Sequence, residues 1–204
     1  MNLKKINPNL QKALIECGFT EANELQQDTF STIKSGADCV IISPAGSGKT
    51  TALVLNVIQK LEKAVEESPR ALIFVPSKDE VIAMKQLFEQ FGNYTDLRVY
   101  GVHDKGDIDF DKNHISLGLD VLIGTPNRLS DLFSSAGYDV NRLKMFIIED
   151  TDELLRLRFD TKIARITESI KTQRIFFSEN ATERIETFAD RVMIEPVWFE
   201  PEED

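Results

Sequence analysis

Residues 39–50, Cys39-Val40-Ile41-Ile42-Ser43-Pro44-Ala45-Gly46-Ser47-Gly48-Lys49-Thr50, pass from an apolar run of strand length through a glycine-bearing turn into a helical pattern. A strand, such a turn and a helix in that order form a cradle for phosphate. Gly46 and Gly48 allow backbone conformations that a side chain would block, so several N–H groups can converge on one anion. The helix that follows adds its unpaired N–H groups and the positive end of its dipole. Lys49 can then reach the outer phosphates, and the Thr50 hydroxyl can ligate Mg²⁺. The pattern G-x-x-x-x-G-K-[ST] is met everywhere except its first place, which is Ser43. The competing reading is an ordinary Gly/Ser turn that holds a lysine; the strand before and the helix after argue against it. From this stretch the candidate nucleotide-binding residues are Ser43, Ala45, Gly46, Ser47, Gly48, Lys49, Thr50 and Thr51.

Working outward, Val54, Val57, Ile58, Leu61 and Val65 mark one apolar face of a helix after the loop. A continuous apolar run of strand length follows at 71–75; 120–124, 144–149 (with acids at its end) and 174–177 read as further strands, with shorter strand patterns at 97–100 and within 192–199. Runs of this kind fit strands buried on both faces. Between them lie helical spacings at 81–91, 128–133, 153–157, 161–170 and 182–189. Upstream, residues 3–17 have helical spacing interrupted by Pro8, and 20–33 read as a second helix; 101–118 is polar and yields no clear element. The alternation predicts an α/β fold, a mostly parallel sheet with helices on both faces, whose ligands bind at the carboxyl ends of the strands.

The 204 residues form one expected domain, 1–199, with an acidic tail at 200–204. The formal charge of −10 argues against tight nonspecific nucleic-acid binding by the whole surface, though not against a local basic or helix-terminus site. Cys17 and Cys39 lack C-x-x-C spacing and read as reduced core residues, and His103 and His114 lack the partners of a zinc site. No apolar run reaches membrane-spanning length and Met1-Asn2-Leu3-Lys4-Lys5 does not begin a signal peptide, so a cytoplasmic location without membrane contact is expected. The Met1 start and the acidic tail suggest a natural full-length chain.

In the order of its motifs, nearly the whole chain resembles the first, N-terminal RecA-like domain of the DEAD-box RNA helicases, with degenerate motifs. The resemblance implies a RecA-like P-loop NTPase fold. Gly18-Phe19-Thr20-Glu21-Ala22-Asn23-Glu24-Leu25-Gln26, within region 1–36, is similar to the adenine-reading Q motif Gly-Phe-x-x-Pro-Thr-x-Ile-Gln. It implies that Gln26 hydrogen-bonds the adenine edge and that Phe19 stacks on its face. Pro76-Ser77-Lys78-Asp79-Glu80 stands where the family has Pro-Thr-Arg-Glu-Leu, and Thr125-Pro126-Asn127-Arg128 where it has Thr-Pro-Gly-Arg. These imply an RNA-backbone grip by Pro76, Ser77, Lys78, Thr125, Pro126 and Arg128. The competing reading is helix capping by Ser77 and Thr125.

Glu149-Asp150-Thr151-Asp152 occupies the place of Asp-Glu-Ala-Asp with the first two acids exchanged. The resemblance implies metal binding by Thr50 and Glu149, with Glu149 and Asp150 as the catalytic pair. Asp150 is one methylene shorter than the expected glutamate, and a displacement of roughly 1 Å can cost about 10²-fold in rate. Ser178-Glu179-Asn180 replaces Ser-Ala-Thr; Asp152 and Ser178 would carry coupling, and the Glu179 charge is expected to disturb it. The 204 residues hold no second RecA-like domain, the source of arginine fingers in the family. A finger is worth roughly 10³ to 10⁵ in rate. The resemblance therefore implies binding of ATP/ADP with Mg²⁺, and of RNA, with weak or no hydrolysis and no unwinding by the chain alone. One alternative is an active helicase half completed by a protein that supplies the second domain. The other is a scaffold for RNA or protein.

Overall fold

The computed structural model describes residues 1–201; residues 202–204 of the expected acidic tail lie outside it. In chain order the elements are α1 (Pro8–Glu16), α2 (Glu24–Ser35), β1 (Cys39–Ile42), α3 (Lys49–Leu61), β2 (Ala71–Phe74), α4 (Lys78–Phe91), β3 (Val99–Val102) and α5 (Ile108–Ser116). They continue with β4 (Val121–Gly124), α6 (Pro126–Ser134), β5 (Met145–Ile148), α7 (Thr151–Arg156), α8 (Asp160–Thr167), β6 (Gln173–Ser178), α9 (Glu183–Val192) and β7 (Val197–Phe199). The strands form one seven-stranded sheet in the order β3-β4-β2-β5-β6-β1-β7. Every pairing is parallel, so the predicted α/β class, of RecA-like form, holds.

The side-chain period of two explains the layers. Cys39 and Ile41 of β1 face one apolar cluster, with Leu10 and Leu14 of α1, Phe30 of α2, Leu53 of α3 and Phe88 of α4. Val40 and Ile42 face the other, with Leu129 of α6, Leu154 of α7, Ile163 of α8 and Phe188 of α9. Both faces of the central strands are therefore dry, as their unbroken apolar runs require.

Three local features differ from expectation. Pro8 starts α1 rather than interrupting it: Asn7 Oδ1 accepts from the amides of Asn9 and Leu10, and a first-turn proline loses no helical hydrogen bond. The polar segment 101–118 contains α5, capped by Asp107, of which only Asp111 and Ile115 are buried; that is too few positions to set an apolar period. Cys39 is buried as expected and burial pushes its thiol up to about 12, but Cys17, at the end of α1, is exposed.

Candidate nucleotide site and strand-end loops

Because all the strands run parallel, the segments after β1, β2, β4, β5 and β6 emerge at one edge of the sheet. That edge gathers the phosphate loop, Pro76-Ser77-Lys78, Thr125, Glu149-Asp150 and Ser178-Glu179-Asn180. Topology alone thus brings together five stretches that are far apart in sequence.

In the phosphate loop, Gly46 (φ 75°) and Gly48 (φ 90°) take positive φ, whereas Ser43 is not among the residues that do. A serine is therefore tolerated at the first place, and its amide donates to the Ser178 carbonyl at 3.0 Å. Gly48 is needed twice over. Besides its φ, a Cβ there would lie 2.7 Å from Asn23 Nδ2 and 3.0 Å from Gln26 Nε2. Lys49 is buried and donates from Nζ to the carbonyls of Ser43 (2.5 Å) and Pro44 (2.8 Å). The Thr50 hydroxyl donates to Glu149 Oε1.

Ala45, Gly46, Gly48, Lys49, Thr50 and Thr51 line an open cleft of about 460 Å³ with Glu80, Met84, Glu149, Asp150 and Glu179. Four carboxylates thus face one lysine. Burial first, then the charges of Asp150 and Glu80, push Glu149 up to about 7 against the opposing pull of Thr50 and Lys49. Asp150 is raised by burial, Glu80 and Asp152. Its backbone is left-handed (φ 51°, ψ 50°) at the start of α7. Aspartate tolerates that conformation better than most residues, so the exchanged order suits the local backbone. A hydroxyl beside a carboxylate is a set of hard oxygen donors that suits Mg²⁺, and Thr50 and Glu149 would hold it.

The Glu149 shift has a measurable consequence. Between pH 4.5 and about 7 the native carboxyl keeps a proton that the unfolded one has lost. Unfolding free energy therefore falls as pH rises through that window, by an amount on the order of 2–3 kcal/mol. Urea titrations at pH 5 and pH 7.5 should show this fall in the wild type and a flattened one in Glu149→Gln. An equal fall in both would show that Glu149 is not the group responsible.

The Q-motif residues divide. Asn23 caps α2, accepting from the Gln26 amide at 3.0 Å, and Gln26 Oε1 accepts in return from the Asn23 amide at 3.1 Å. Asn23 Nδ2 also donates to the Ser47 carbonyl at 2.8 Å, tying α2 to the phosphate loop. Gln26 is buried against Gly48 with its acceptor already engaged. Phe19 packs edge-on against Phe91 at 5.3 Å, beside the α1–α4 core. It lines neither the cleft nor the groove that Asn23, Ser43 and Ser47 share.

Neither Ser77 nor Thr125 makes a side-chain cap, so capping does not account for them. Ser77 and Lys78 are exposed beside the half-buried Pro76. The second loop differs from expectation. Pro126 is buried in the first turn of α6. Arg128 is buried and committed inward, with Nη1 3.1 Å from Asp111 and Nη2 donating to the carbonyls of Gly106 (2.6 Å) and Asp104 (3.3 Å). The Thr125 hydroxyl donates to Asp104 at 2.9 Å.

The Asp152–Ser178 contact, expected to carry coupling, is made despite Glu179. The Asp152 amide donates to Ser178 Oγ at 3.3 Å, and Ser178 Oγ donates to the Asn180 carbonyl at 2.9 Å. Asn180 Nδ2 and its amide donate to Asp152 Oδ2 at 2.9 and 3.2 Å. Burial works to raise Asp152, but these donors outweigh it and hold the carboxyl below its usual range. Asn180 thus supplies donors of its own, and Glu179 turns into the cleft instead. Sequence reading gave no role to Glu80 or Asp104. Glu80 did carry a signal, an acid in place of leucine. Asp104 carried none, because its segment had no assigned element.

Comparisons with known proteins agree with this geometry. The DEAD/DEAH box helicase family profile matches residues 23–188. The chain is 26% identical over 194 residues to the ATP-dependent RNA helicase DbpA of Bacillus subtilis (strain 168), covering 94% of this chain and 40% of that one. It is 26% identical over 203 residues to the ATP-dependent RNA helicase eIF4A of Debaryomyces hansenii, covering 97% and 49%. The chain thus spans about half the length of the curated relatives it matches, or less. Its backbone superposes on the crystal structure of the yeast DEAD-box splicing factor Prp28 with a TM-score of 0.88 at 21% identity, over 97% of this chain and 51% of that one. Among the described residues, no helix is long and apolar enough to cross a membrane. With the family profile spanning 23–188 and the phosphate loop, acidic turn and strand-end loops gathered at one edge of a parallel sheet, this chain belongs to the DEAD/DEAH box helicases as an N-terminal RecA-like domain.

Proposed function

We propose that this domain holds ATP or ADP with Mg²⁺ in the strand-end cleft, with weak or no hydrolysis and no unwinding by itself. The observation that carries the reading is the convergence of Lys49, Thr50 and Glu149, three groups that suit the outer phosphates and their metal. Mg²⁺ there would offset the negative charge of both the nucleotide and the surrounding acids. Slow turnover is supported by the shorter acid at Asp150 and by the crowding of Glu80, Glu149, Asp150 and Glu179 in one cleft. Calorimetry with Mg-ADP and Mg-ATP tests the reading; no heat at millimolar nucleotide would falsify it.

Acid order makes a separate prediction. The double exchange Glu149→Asp with Asp150→Glu is expected to raise basal phosphate release by about ten- to hundredfold. An unchanged rate would mean that the acid order does not set the limit.

The exposed Ser77 and Lys78, at the start of α4 just after β2, which pairs with β4, support an RNA backbone along this edge. The intact Asp152–Ser178–Asn180 link supports a second reading, a helicase half that works with a partner supplying another RecA-like domain. Under it, RNA-stimulated phosphate release appears only when that partner is added.

A further inference from the structure

The N-terminus of α6 already holds an anion of the chain's own. The Thr125 hydroxyl makes no cap bond to α6, and its one proton goes to Asp104 Oδ1 at 2.9 Å. Arg128 fastens the same loop by its bonds to the Asp104 and Gly106 carbonyls, while its Nη1 is paired with Asp111, which also accepts from Tyr100 Oη at 2.9 Å. Asp104 and Asp131 line the hollow at this end of α6, about 390 Å³, with Asn127, Arg128 and Lys162. The Lys162 ammonium is drawn to Asn127 Oδ1.

We infer that Asp104 stands in for a nucleic-acid phosphate at the Thr125 loop and so keeps an RNA strand off that loop. The inference rests on the proposed RNA edge. A carboxylate and a phosphate oxygen compete for the same hydroxyl proton and the same helix dipole, and each repels the other. Neither Thr125 nor Arg128 is free to hold a strand while the loop stays in place. The chain's overall acidity adds to the barrier.

Asp104 is exposed, so its replacement leaves the core untouched. The experiment uses the full chain, fluorescein-labelled decauridylate and anisotropy at low salt, with circular dichroism as the fold control. Asp104→Asn keeps the carbonyl acceptor and removes the charge, and Asp104→Ala frees the hydroxyl. Each is expected to tighten binding about tenfold, with a gain that shrinks as salt is raised. The second loop is probed by adding Lys78→Ala. A gain lost on adding Lys78→Ala supports both the inference and the RNA edge. A gain indifferent to Lys78 supports the role of Asp104 and overturns a strand spanning both loops. No gain, with wild-type binding weakened by Lys78→Ala, overturns the inference and leaves the RNA edge standing. No binding by any variant overturns both.

Discussion

Lys49→Ala is expected to weaken binding of Mg-ADP by about hundredfold or more while the fold survives. Nζ now satisfies two loop carbonyls, at 2.5 and 2.8 Å, from a buried position. An entering phosphate exchanges those neutral acceptors for a charged one, and hydrogen bonds between charged partners are worth roughly 1.5–3 kcal/mol each. Among the described residues, Lys49 is also the one base lining a cleft that contains Glu80, Glu149, Asp150 and Glu179. Without it, the only charged side chains lining the cleft around the diphosphate are carboxylates. Lys49→Arg keeps the charge but brings a planar fork in place of a compact ammonium, and restores only part of the affinity. Calorimetry reads both variants; nucleotide binding by Lys49→Ala at wild-type strength would move the phosphate site elsewhere.

The largest effect on stability is expected at Asp120, just ahead of β4. Its carboxylate is fully buried and accepts five donors. Arg70 Nη2 (2.8 Å), the Val65 amide (3.1 Å) and Arg98 Nη2 (3.2 Å) reach Oδ1, and the Arg98 amide (2.9 Å) and Nε (3.0 Å) reach Oδ2. One side chain thereby fastens the entries to β2, β3 and β4 and the exit from α3. Removing it leaves the Arg70 guanidinium buried without a counter-charge. Breaking a buried pair in this way costs about 3–5 kcal/mol, and Asp120→Ala should lose that much in urea unfolding at pH 7. Burial works to raise the Asp120 carboxyl, but the hydrogen bonds from Arg98 and Arg70 outweigh it and hold the group below 3.8. Its stabilisation is therefore complete above pH 3.8 and is lost as pH falls through the lowered value. Wild type and variant should converge in acid; a gap that persists there would mean the loss comes from packing rather than charge.

Much of the frame was legible in the chain because its signals are local. The runs at 71–75 and 144–149 are apolar at every place a doubly covered strand needs, and β2 and β5 lie within them. The loop at 43–50 depends on two glycines whose φ is a property of the backbone itself. Element ends moved where a cap decides them: α2 begins at Glu24 because Asn23 and Gln26 cap each other, not at residue 20. Helix α5 was missed because an edge helix with two buried residues leaves no apolar period to read.

Local pattern also determined the phosphate cradle, the parallel α/β class and the places of the acids, since glycine spacing, apolar runs and residue type are fixed by covalent order. Tertiary structure decided what those groups do there. It paired Arg128 with Asp111, turned Thr125 onto Asp104, packed Phe19 against Phe91 and let Asn180 complete the link to Asp152. It also brought Glu80 and Glu179 in to face Lys49. The physical reason is that a hydroxyl proton, a guanidinium or a carboxylate commits to whichever partner the fold brings within about 3 Å, and that partner lies far away along the chain.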